Sequence, residues 1–63
     1  MSAPIPDIRV TRSRGRAAIT SATPSGMRYI CDVYGTPCLT IAIEHVVETV
    51  AAMRAAGLEV REL

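Results

Sequence analysis

Tryptophan, phenylalanine and lysine are missing from these 63 residues, and there are only two tyrosines, two cysteines and one histidine. So few aromatics leave no stacking platform for the bases of a single-stranded nucleic acid. Two cysteines cannot build the disulfide framework on which many small secreted domains rely. Long apolar runs are missing too. The stretch from Leu39 to Val50 is broken by Thr40, Glu44, His45, Glu48 and Thr49, far short of the about 20 apolar residues of a membrane span. The start, Met1 to Arg12, has Pro4, Pro6, Asp7 and Arg9 where a secretory leader needs apolar residues. These absences predict a soluble, cytoplasmic chain that binds no membrane.

The length excludes nucleotide folds of the Rossmann or P-loop kind and predicts one small domain over 1–63, with 1–6 as an extended or flexible arm. A chain of this size buries only about 60% of the surface exposed on unfolding. Association with a partner or with its own copy is the expected compensation. The hydrophobic content of 49% is that of a folded chain.

All seven basic residues are arginine, and the net charge of +1 hides an uneven distribution. Residues 1–30 carry five arginines against one aspartate, a net of +4; residues 31–63 carry two arginines against five acids, a net of −3. A basic half and an acidic half can attract each other or serve different partners.

Alternation over Asp7–Arg12, with Ile8 and Val10 on one side, predicts a half-buried strand. A turn at Ser13-Arg14-Gly15 and a second strand over Arg16–Ala22 follow. Thr23-Pro24-Ser25-Gly26 has the composition of a hairpin turn. A third strand is then expected over Met27–Tyr34, with Met27, Tyr29, Cys31 and Val33 facing the core and Arg28, Ile30, Asp32 and Tyr34 facing away. Thr36 as N-cap and Pro37 at the first helical position start a helix. Leu39, Ala42, Ile43, Val46, Val47, Val50 and Met53 form its apolar stripe, and Gly57 closes it. Leu58–Leu63 alternates as a final strand. The expected fold is a small two-layer α+β unit: a three-stranded antiparallel meander, one helix and a short C-terminal strand, in the order β-β-β-α-β.

One helix covers one face of such a sheet and leaves the other bare. Arg28, Ile30, Asp32 and Tyr34 on that bare face would make an apolar centre with a polar rim, the composition of a protein interface. The outer helix positions Ile41, Ala51, Ala52 and Ala55 are read as propensity-driven rather than as a docking stripe. The leading expectation is a non-enzymatic adaptor or inhibitor that binds a protein, or its own copy as a homodimer, through the open sheet face. Analogy with short chains from phages and other mobile elements points the same way. The alternative is a nucleic-acid-binding accessory protein in which Arg9, Arg12, Arg14 and Arg16 meet phosphates. Against it stands a pI near 7.8.

Cys31, Cys38 and His45 recur every seven residues, but no fourth ligand has zinc-site spacing, so no metal is expected. Cys31 is assigned to the core. Cys38, in a first helical turn, would have an activated thiol. The two lie close enough in sequence for a disulfide, which a reducing compartment would not keep. His45 between Glu44 and Glu48 has no nucleophile to serve, and nothing assembles a nucleophile, a base and an orienting group. No catalytic residue, cofactor or small-molecule substrate is predicted.

Overall fold

The computed structural model describes residues 5–63. Strands β1 (Ile8–Ser13) and β2 (Arg16–Ser21) form an antiparallel hairpin. Its two-residue turn holds Arg14 and Gly15 at φ 53° and 74°, the doubly left-handed geometry that matches the twist of the flanking strands. Helix α1 (Pro24–Tyr34) comes next, then strand β3 (Cys38–Ala42), a 3-10 turn (Ile43–His45), helix α2 (Val46–Ala55) and strand β4 (Val60–Glu62). The sheet order is β3-β2-β1-β4, antiparallel between the first three and parallel between β1 and β4. The protein is thus a two-layer α+β fold, a four-stranded mixed sheet with two helices in the order β-β-α-β-α-β, one helix more than the expected β-β-β-α-β.

The meander's third strand is not where its pattern was expected. Residues 27–34 are helical, and the predicted long helix is divided into β3, the 3-10 turn and a shorter α2. Thr23 supplies the reason at the start of α1. Its φ and ψ are extended (−133°, 161°), its hydroxyl accepts the Gly26 N–H at 3.2 Å, and Pro24 follows where its missing N–H is no loss. At the far end Gly35 takes φ 73° and donates its N–H to the Cys31 carbonyl, closing the helix. The same Thr-Pro pair at Thr36-Pro37 starts no helix. After it Leu39 and Ile41 alternate with Thr40 at period two, and Thr36 donates its hydroxyl to the Cys38 carbonyl instead (2.9 Å). Gly57 ends α2 as expected, at φ 90°, with the Gly57 and Leu58 N–H groups bonded to the Arg54 and Met53 carbonyls.

Both helices cover one side of the sheet. Ile8, Val10, Ala17 and Ile19 point inward, and Ile30, Val46, Val50 and Met53 close over them, with Val60 from β4. Pro6 is buried as well, so the expected N-terminal arm is anchored there, while residues 1–4 lie outside the described residues. No helix among the described residues is long and apolar enough to cross a membrane.

The Asp7 carboxylate ties the chain's two ends together. It accepts the Thr23 hydroxyl at 2.6 Å and the Glu59 N–H at 3.0 Å. The Glu59 N–H first, and the Thr23 hydroxyl second, hold its pKa below the usual 3.8 against the opposing pull of burial. A carboxylate with a lowered folded-state pKa contributes stability above its unfolded value and loses it as pH falls through the folded one. Acid titration below about pH 4 should therefore destabilise the native protein. Asp7→Asn should lower stability at neutral pH and flatten that acid limb in urea titrations. Identical acid limbs in the two proteins would show that Asp7 is not involved.

Candidate functional site

Among the described residues nothing covers the side of the sheet away from the helices, as expected, but its residues differ from those expected. Strand alternation places Arg9 and Thr11 from β1, Arg16, Ala18 and Thr20 from β2, and Cys38, Thr40 and Ala42 from β3 on this side, with Arg61 from β4. All are exposed except Ala42, which is half-buried. Register arranges them in rows. One runs Arg61, Arg9, Thr20, Cys38, and the next runs Thr11, Ala18, Thr40. Arg14 projects from the adjoining turn, exposed. Hydroxyls and methyls lie between the guanidinium groups.

The acids lie elsewhere. Glu62, on the helix side, takes Arg12 at 2.6 Å and Arg54 at 3.7 Å. Glu48 pairs with His45 Nδ1 at 2.9 Å on the surface of α2. Asp7 is occupied by Thr23 and Glu59, and Glu59 itself stands at the margin where β4 begins. Among the described residues Arg9, Arg14 and Arg16 form no ion pair. The bare face thus carries Arg9, Arg16 and Arg61, while Arg12, Arg28 and Arg54 share the helix side with the acids.

Of the four arginines singled out from sequence, Arg9 and Arg16 share the bare face, Arg14 sits in the adjoining turn, and Arg12 is set apart. Arg12 has the parity of Val10, which turns it to the helix side and onto Glu62. Arg61 was missed, and its signal was available: alternation in Leu58–Leu63 already set it opposite to Val60.

The group Arg28, Ile30, Asp32 and Tyr34 is not on the sheet. All four lie on α1, and Ile30 is fully buried under it. A period of two and a period of 3.6 both fit eight residues in which most positions are apolar. Arg28 and Asp32 line an open groove of 620 Å³ between α1 and the segment joining α2 to β4, with Tyr29, Ala56 and Leu58. The Tyr34 ring meets Tyr29 edge-on at 6.5 Å, and partial burial raises its phenol pKa above the usual 10.0.

Both cysteines are free and exposed, so Cys31 is no core filler. Cys38 opens a strand, which removes the helix dipole expected to activate its thiol. Among the described residues no group of three or more His, Cys, Asp or Glu side chains is placed to hold a metal. Comparison with protein-family models, curated proteins and solved structures finds no match for this chain.

Proposed function

We propose that the protein is a non-enzymatic binding module whose working surface is the bare sheet face, and that its partner is the phosphate backbone of a nucleic acid. The observation that carries this reading is the set Arg9, Arg14 and Arg16, with Arg61 on the same side, over a sheet face whose other members are small or hydroxylic. Guanidinium groups bind phosphate oxygens in a bidentate fork, and threonine hydroxyls add neutral donors. Ala18 and the threonines let a backbone come close. A protein interface would want a large apolar anchor at the centre, and this face has none. The expected contacts position the protein on a backbone without reading bases.

The test is fluorescence anisotropy with a short mixed-sequence duplex, DNA and RNA in turn, over a salt series. With three or four phosphates neutralised, the slope of log K against log salt should be about −3. Arg9→Glu combined with Arg16→Glu should abolish binding without altering the circular dichroism, because both side chains are exposed. No binding at low salt would end the proposal. So would binding that survives the double reversal. Polyglutamate binding with equal affinity and salt slope would replace the nucleic acid with an acidic protein partner.

A further inference from the structure

The sheet has two edges, and they are built differently. β4 is three residues long and carries Arg61 and Glu62. Short length and charge are the usual protection of an edge against pairing with another chain. β3 has five residues, Cys38-Leu39-Thr40-Ile41-Ala42, with neither a charge nor a proline among them. Among the described residues no strand lies along its outer side.

The hydrogen-bond phase of β3 shows what that outer side offers. The Ile43 N–H donates to the Gly15 carbonyl at 2.9 Å, so residues 43, 41 and 39 exchange bonds inward, and the alternating pattern turns Cys38, Thr40 and Ala42 outward. The Thr36 hydroxyl on the Cys38 carbonyl agrees with that phase. A carbonyl has a second lone pair, so this contact leaves it able to accept another bond.

We infer that β3 pairs antiparallel with β3 of a second copy, about a twofold axis at Thr40. Only even-numbered residues can exchange bonds across this edge. Centring on Thr40 uses all of them: Thr40 with its own copy, and Cys38 with Ala42 in both directions. The ends match as well. Exposed Val33 and Tyr34 lie just before β3, and exposed Ile43 and Val47 just after it. An antiparallel pair sets one copy's leading end beside the other's trailing end, so these apolar groups meet in two equivalent clusters. Charge does not oppose the contact. The nearest like charges on the bare face of the new sheet, Arg16 of one copy and Arg9 of the other, stand in one row four strand spacings apart, about 19 Å, beyond the screening length of about 8 Å at physiological salt. The dimer is an eight-stranded sheet with both bare faces on one side. The inference does not depend on what those faces bind.

Sedimentation velocity on the full chain at micromolar concentrations should give twice the 6.7 kDa chain mass. Thr40→Pro removes an N–H that the ladder to β2 does not use, and edge strands tolerate proline. It should weaken dimerisation at least about tenfold. Val47→Glu alters a side chain 78% exposed in one copy and should do the same with circular dichroism unchanged, which covers the case in which the proline variant misfolds. The Arg9→Glu, Arg16→Glu protein should remain a dimer even though it loses nucleic acid, so the two proposals fail separately. A wild-type monomer in the tens of micromolar would overturn the inference. A dimer indifferent to both edge variants would overturn it too.

Discussion

Ile30→Asp is expected to unfold the protein. Ile30 is fully buried, on the side of α1 that meets Ile8, Val10, Ala17 and Ile19. Deleting a buried isoleucine side chain costs about 2–5 kcal/mol, and an unpartnered carboxylate in its place adds several more. At about 0.05–0.15 kcal/mol per residue, a chain of this length has roughly 3–9 kcal/mol of stability in all. The helical signal in circular dichroism should therefore be lost in water. Tyr34→Ala, four residues on and exposed, should cost only about 1 kcal/mol through its edge contact with Tyr29. An Ile30→Asp protein with native dichroism and a cooperative urea transition would mean that α1 does not lie on the sheet through this residue.

Gly26→Ala is the second large effect, and its sign is unusual. Alanine in place of glycine inside a helix ordinarily gains about 1 kcal/mol. Gly26, however, is buried where α1 crosses the start of β1. A Cβ there would run into the Asp7 carbonyl oxygen and come within 3.2 Å of Ile8 Cδ1. The obstacle is backbone, and that carbonyl already accepts the Ala22 N–H at 2.9 Å. The helix must tilt off the sheet, or a ladder bond must break. Overpacking of this kind costs about 1–3 kcal/mol or more, so the urea midpoint should fall well below that of the parent. An unchanged or higher midpoint would show that α1 has room to shift.

The contrast between these two residues shows how the sequence could be read. Ile8 and Val10 were placed correctly because strict alternation beside charged neighbours has one interpretation. Gly57 was placed correctly because an apolar stripe ended at it. Residues 24–42 were ambiguous, since Thr-Pro occurs at both 23–24 and 36–37 and both following segments are mostly apolar. What separates them is tertiary: Gly26 must be small where Asp7 passes, and Leu39 and Ile41 must alternate to cover the edge of β2. Neither requirement is local. The bare sheet face was legible from the count of layers. Its chemistry was not, because it depends on which segment supplies the third strand.

The pairing of Ile8 with Val60 and of Arg9 with Arg61 has a kinetic consequence. The hairpin and the helices can form from near neighbours, whereas the last ladder must close a loop spanning most of the chain. That closure brings its entropic cost before any contact rewards it. Until it occurs, the flank of β1 stays open along Ile8, Arg9 and Val10, and Glu62 has not yet joined Arg12. The slow step in refolding should be the docking of β4 onto β1.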